Sequence, residues 1–385
     1  MYAVPIKGRG SLSNHGSRFQ AYTREARPDW AWPHVSDAAG LSVQREAVAP
    51  MGPRPTVRSR ASTPLPLESP RPATTVTAEH ARSIISRNSS PDIPFDQSVN
   101  AYRGCEHGCI YCYARPSHAY LDLSPGLDFE TRLYAKENAP QLLRRELSRA
   151  GYEPRLIAMG TNTDPYQPIE KRLRITAGLL EVFDEFNHPV SITTKSSLIT
   201  RDIPLLARLA RRNLVRVQIS IGTLDRELAR RMEPRACTPA ARIETVRALK
   251  QAGIPVGVLI APVIPGLTDY ELERVAIASA EAGASSASYV LLRLPREVAQ
   301  LFHEWLQAHY PMKAAHVMNQ LRAMRGGKEY DADFRQRMAG TGPYADMLRQ
   351  RFQRVCTRMN LNLRRIEPDT SAFRNPQQSV QLGLF

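Results

Sequence analysis

The 385-residue chain has no run approaching the roughly 18 apolar residues that a membrane-crossing helix needs. Its most apolar stretch, PVGVLIAPVIP at 255–265, is short and broken by prolines, so it reads as a buried strand. The first residues, MYAVPIKGRGS, lack an apolar signal core, and the expectation is a soluble cytoplasmic protein. Cysteine is scarce. There are five, at positions 105, 109, 112, 237 and 356, an odd count with three inside eight residues and two isolated. That is a poor disulfide framework and a good metal site. Acidic residues are outnumbered, 37 against 52 lysines and arginines, giving a net charge of +15 and a pI near 9.9. Such a surplus attracts polyanions, nucleic acid first. The Arg-rich usage of a high-GC genome is the other explanation. No internal repeat is visible.

With 42% hydrophobic and 23% charged residues the chain has enough material for one large core or two modest ones. Four segments are expected. Residues 1–80 form a basic tail rich in Pro, Ser and Arg and largely disordered, with PMGPRPTVRSRASTPLPLESPRP at 50–72 as its clearest linker. The tail also carries Trp30, Trp32 and the basic KGRGS at 7–11, so part of it is expected to dock. Residues 85–295 alternate strand and helix, 296–365 form a helical, basic C-terminal appendage, and 366–385 are an extended tail. Strands are expected over 97–102, 155–159, 190–194, 216–220, 256–261 and 288–292. Helices are expected over 140–150, 176–186, 202–212, 239–252 and 269–281. Strands alternating with helices imply an α/β fold with a parallel sheet, whose ligands sit at the carboxyl ends of the strands.

The segment from Asn100 reads NAYRGCEHGCIYCYAR. Cys105, Cys109 and Cys112 fall on one tight loop, with Gly104 and Gly108 easing its turns. Thiolate sulfur suits iron–sulfur clusters and zinc. A structural zinc and a cubane cluster each want four ligands, and only three cysteines are local. Three readings therefore stand side by side. The cysteines are unrelated, or zinc is completed by His107, His118 or a distant cysteine, or a cluster keeps one iron open for a substrate or cofactor.

The spacing Cys-x3-Cys-x-aromatic-Cys, with Tyr111 as the aromatic, resembles the radical SAM superfamily. Together with GTNTDPYQPIEK at 160–171, EPRA at 233–236 and APVIPGLTD at 261–269, it looks like the subgroup related to spore photoproduct lyase, over roughly residues 85–345. KGRGSLSNHGSRF at 7–19 is similar to the start of such proteins. Ala101 departs from the subgroup, which usually has proline there, but it is not a ligand.

The resemblance implies a partial (β/α)6 barrel of the radical SAM type. It implies a [4Fe–4S] cluster on Cys105, Cys109 and Cys112, and S-adenosylmethionine (SAM) cleaved reductively to a 5′-deoxyadenosyl radical. An electron donor such as flavodoxin or ferredoxin follows from that chemistry. Gly160, Thr161, Asn162, Thr163 and Asp164 would cradle the methionyl amino group, and Lys195 at the end of the third strand would face a carboxylate or phosphate. Gln218 or Ser220 would meet the ribose. Arg235, beside Glu233, resembles the arginine that meets the SAM carboxylate, and the backbone from Ile264 to Gly266 the segment that meets adenine. Each has a plainer reading as turn, solvated side chain or salt bridge. Cys237 is the weak catalytic candidate, against ordinary packing, and Cys356 reads as structural.

The last five residues, Gln381, Leu382, Gly383, Leu384 and Phe385, resemble the peptide with which bacterial DNA-replication and repair proteins bind the sliding clamp. Apolar anchors on an extended tail suit a preformed groove. DNA repair or modification, with lyase-like chemistry among the options, is the expected function. An RNA or protein substrate, an electron-transfer or sensor protein that never cleaves SAM, and a zinc-bearing nucleic-acid module are the rivals.

Overall fold

The computed structural model describes residues 5–19, 72–364 and 367–376. Trp30, Trp32 and the terminal residues Gln381, Leu382, Leu384 and Phe385 lie outside the described residues.

The strands are β1 (Thr75–Ala78), β2 (Ile85–Arg87), β3 (Gln97–Val99), β4 (Tyr102–Arg103), β5 (Arg132–Ala135), β6 (Ile157–Met159), β7 (Val190–Thr194), β8 (Val215–Ser220), β9 (Val256–Val263) and β10 (Ser286–Leu291). The helices are α1 (Leu127–Thr131), α2 (Ala139–Leu147), α3 (Glu170–Leu173), α4 (Ile175–Glu185), α5 (Ile203–Arg211), α6 (Arg226–Met232), α7 (Pro239–Gln251), α8 (Leu272–Glu281), α9 (Glu297–His309), α10 (Pro311–Ala323) and α11 (Pro343–Arg358).

All six expected strands form and pair in parallel, in the order β10-β9-β8-β7-β6-β3. The helices between them make this the open α/β arrangement of a partial barrel, with an antiparallel edge strand, β2, beside β3. Alternation fixes the layers. In β8, Val215, Val217 and Ile219 are buried while Arg216 and Gln218 on the other face are partly open. The helix α7 ends where expected, with Gly253 at φ +74° and its N–H on the Lys250 carbonyl.

Three features differ from the sequence reading. A second small sheet, β1-β5-β4, was not legible, because its strands run two to four residues and carry no sustained alternation. The C-terminal helices are not an appendage. Trp305, Leu321, Leu348 and Val355 share one hydrophobic core with the barrel, and Phe352 lies 4.9 Å from Tyr289 of β10, ring centre to ring centre. The expected disordered tail over 1–80 is corrected at both ends. Residues 5–19 pack on the domain, in line with the docking expected of KGRGS, and β1 pairs with β5.

Candidate active site

The cysteine loop leaves β4 and turns at Gly104 and Gly108, both at positive φ (+74° and +66°), a conformation side chains rarely adopt. Its own hydrogen bonds are long: Gly108 N–H to Cys105 O at 3.3 Å and Cys112 N–H to Cys109 O at 3.2 Å. Other elements hold it. The Gln167 amide donates to Gly104 O at 3.2 Å and accepts the Glu106 N–H at 2.9 Å, and Cys105 N–H reaches Phe129 O at 2.9 Å. Arg115, fully buried, donates through Nε to Cys109 O at 2.9 Å and through Nη2 to the fully buried Glu130 at 2.5 Å.

Cys105, Cys109 and Cys112 line one cavity with Gly160, Thr161, Asn162, Thr163 and Asp164 at the end of β6 and with Thr193, Thr194 and Lys195 at the end of β7. The cavity therefore sits at the carboxyl ends of the strands, where a parallel sheet places its ligands. Burial pushes the Cys105 thiol well above its ordinary range, and burial chiefly, countered by Lys195, pushes that of Cys109 up to about 12. Burial works against the Lys195 charge, but Cys109 and Glu233 outweigh it and raise its pKa.

The donor set tests the candidate metals. Among the described residues no three His, Cys, Asp or Glu side chains converge closely enough to hold one metal ion. His118 points away from the thiols: its Nε2 meets Arg132 O at 2.9 Å, and its ring packs edge-on against Phe129. His107 lines the cavity, but its Nδ1 faces Asp164 Oδ2 at 3.4 Å. Three thiols around a shared cavity, rather than around a point, fit a cubane cluster with one iron free of protein.

Several expected cofactor residues have other tasks. Asp164 lines the cavity with its oxygens occupied: Oδ1 accepts Thr194 Oγ1 at 2.6 Å and Tyr166 N–H at 2.9 Å, and Oδ2 accepts Lys195 N–H at 2.8 Å. Burial opposes its charge, but His107 and these donors hold its pKa down to about 2. It organises the strand ends and has little capacity left for a ligand ammonium. Gly160 is required because a Cβ there would collide with the Thr193 carbonyl. Ser220 is fully buried; its carbonyl accepts Arg242 Nη1 at 3.0 Å, and its hydroxyl lies 3.5 Å from Ala261 O. Gln218 lines a separate cavity of about 350 Å³ with Arg216, Gly257 and Arg364, towards the amino ends of the strands.

Glu233 is buried and accepts from both Tyr111 Oη and Arg242 Nη2. Burial works against its charge, but Arg242 and Lys195 outweigh it and hold its carboxyl below the usual range. Arg235 pairs with Glu106 of the cysteine loop at 3.0 Å, a salt bridge and not a cavity wall. Ile264 N–H is taken by Thr268 Oγ1 at 2.8 Å, and the close approach expected at Gly266 is made by His316, whose Cδ2 would lie 2.9 Å from a Cβ. Cys237 Sγ accepts Ser197 N–H at 3.1 Å and lies outside the cavity wall. Cys356 belongs to the core, as expected.

Sequence reasoning missed the supporting residues. Asn100 Oδ1 accepts Asn162 N–H at 3.0 Å and fixes the turn after β6. Glu170 is buried under Tyr102, Arg201 and Thr176 N–H. Gln167 and Glu170 lie inside the DPYQPIEK motif, which was the available signal. Nothing local pairs Arg115 with Glu130 or Arg242 with Glu233.

The fold and the thiol cavity define a class, and the comparisons agree with it. Residues 99–277, just under half of the chain, match the family model described as Radical SAM superfamily. That match implies a [4Fe–4S] cluster and SAM as cofactors. Among curated relatives, an uncharacterized protein of Mycobacterium tuberculosis is 40% identical over 221 residues, 57% of this chain and 65% of the relative. The chain thus spans just under two thirds of that relative's length. An uncharacterized protein of Methanocaldococcus jannaschii is 28% identical over 213 residues, covering 55% of this chain and 76% of the relative. A Pseudomonas phage M6 protein named Radical SAM Nalpha-GlyT isomerase is 26% identical over 203 residues, 49% of this chain and 40% of the relative. Among solved structures, spore photoproduct lyase complexed with dinucleoside spore photoproduct gives a TM-score of 0.49 at 15% identity, covering 74% of this chain and 79% of that one.

Proposed function

We propose that this chain is a radical SAM enzyme whose substrate is nucleic acid, acting in DNA repair or modification. The observation that carries the chemistry is the single cavity shared by Cys105, Cys109, Cys112 and the ends of β6 and β7. When bound, the cluster and SAM supply a 5′-deoxyadenosyl radical through one-electron cleavage of the sulfonium.

The protein's own residues bind, orient and exclude water. The thiolates of Cys105, Cys109 and Cys112 would hold the cluster at this cavity. The turn at 160–163, pinned by Asn100, offers backbone groups to the methionyl end. Lys195, kept protonated by its anionic neighbours, is the cation available to a carboxylate. Glu233, locked by Arg242, accepts the Tyr111 hydroxyl and orients that ring. Tyr113 is half-exposed beside the cavity, with its hydroxyl on Thr161 O and the Arg293 guanidinium 5.0 Å from its ring centre.

The net charge of +15 and the resemblance of Gln381–Phe385 to a sliding-clamp-binding peptide support DNA as the substrate class. Anaerobic reconstitution followed by iron, sulfide and product analysis tests the chemistry. About four irons and four sulfides per chain and reductant-dependent 5′-deoxyadenosine are expected. C105A, C109A and C112A should abolish both, while C237A and C356A should retain the iron. Absence of 5′-deoxyadenosine from an iron-loaded chain overturns the enzyme reading. Deuterium transfer between SAM and labelled DNA, compared with RNA and protein, decides the substrate class.

A further inference from the structure

Residues 5–19 are some ninety residues from the cysteine loop in sequence, yet they lie against it. Gly10 packs so closely on Gly108 that a Cβ at position 10 would collide with the Gly108 carbonyl oxygen. Gly10 N–H and Ser11 N–H donate to the two oxygens of Glu130 at 3.0 and 2.8 Å. Glu130 is fully buried, receives Arg115, and would meet a Cβ at Gly108 at 2.8 Å. A continuous line of direct bonds therefore runs Ser11–Glu130–Arg115–Cys109 O. Arg9, itself buried, donates to Glu130 O at 3.0 Å, and Asn14 exchanges two hydrogen bonds with Asp128, at 3.1 and 3.0 Å.

We propose that residues 9–14 are a positioning strap that fixes the cysteine loop and shields it from solvent. Three observations carry this. The loop's internal hydrogen bonds are long, so its shape depends on outside contacts. The strap meets it at Gly108, immediately before Cys109. And Glu130 is buried: Gly10 N–H donates to its Oε2, while Ser11 N–H joins Arg115 on Oε1, so without the strap Oε2 would lose the donor it has here. The functional consequence rests on the cluster reading of the loop, while the contact itself does not.

The test uses the full chain and G10V, which a close backbone contact cannot accommodate. In the iron-free protein, amide hydrogen exchange over 105–115 should rise roughly tenfold or more, the factor expected when buried hydrogen bonds to a charged group are lost. Exchange in β8 should stay unchanged. In the reconstituted protein, iron release to a chelator should accelerate similarly, and the electron paramagnetic resonance of the reduced cluster should broaden. If β8 also opens, the chain lacking residues 1–19 decides: a synthetic 5–19 peptide should restore protection at 105–115. Unchanged local exchange in G10V, or no effect of the peptide, overturns the strap. A chain that binds no iron but shows the local exchange change keeps the strap and loses the cluster.

Discussion

The carboxylate of Asp164, just after β6, accepts the backbone N–H of Lys195, just after β7, at 2.8 Å. The same carboxylate takes the Thr194 hydroxyl at 2.6 Å. One mostly buried side chain, 10% exposed, thus joins the two strand ends that line the cavity with the cysteines. D164N would turn an amide N–H towards one of these donors. It should cost about 1–3 kcal/mol, a buried donor left without an acceptor, measured by urea unfolding. Cluster loading should fall in parallel. Wild-type stability in D164N would exclude the role.

Arg242 and Glu233 form a pair exposed by only 2% at each side chain. R242M would strand the Glu233 carboxylate beneath Tyr111. A loss of about 3–5 kcal/mol is expected, the usual cost of breaking a buried pair from one side. E233L combined with R242M should recover much of it, because no unpaired charge remains. Additive losses in the double-mutant cycle would show that the two residues do not act together.

His188 supplies a pH dependence remote from the cysteines. It is fully buried, Nδ1 lies 3.0 Å from Pro189 O and Nε2 lies 2.8 Å from Tyr152 Oη. Since a carbonyl only accepts, Nδ1 carries the proton and Nε2 accepts from tyrosine. Burial pushes the ring pKa down to about 4, below the unfolded value near 6.5. The folded state therefore binds fewer protons. This contribution is fully present above pH 6.5 and is lost as the pH falls through 4, by at most about 3 kcal/mol. H188Q should flatten the fall in melting temperature between pH 7 and pH 4, and an unchanged slope would assign it elsewhere.

The terminal peptide makes a separate prediction. Removing residues 381–385 should abolish capture of a bacterial sliding clamp without changing iron content or 5′-deoxyadenosine formation. Equal capture by the full-length and truncated chains would overturn the reading of 381–385 as a clamp-binding peptide.

Local signals carried the fold class. Regular alternation marked β8, apolar continuity marked β9, and a glycine stop marked the end of α7. They were silent on β1, β4 and β5, which are too short to show a period and are stabilised by pairing across long sequence separations. They also made a tail of residues 5–19, since a segment rich in glycine and serine has no apolar face to betray where it docks. Its anchors are hydrogen bonds to Glu130, which periodicity does not report.

The sequence alone singled out the three cysteines as the candidate cluster ligands, because that reading depends on residue type and spacing within one loop, and it singled out the strand ends that line the same cavity. The tertiary structure decided which polar residues remain available to a ligand. Asp164, Ser220, Glu233 and Arg235 all have ligand chemistry, yet each is largely engaged by a partner inside the protein. Whether a polar side chain serves a ligand or the fold depends on which groups reach it first, and those groups come from elements far apart in the chain.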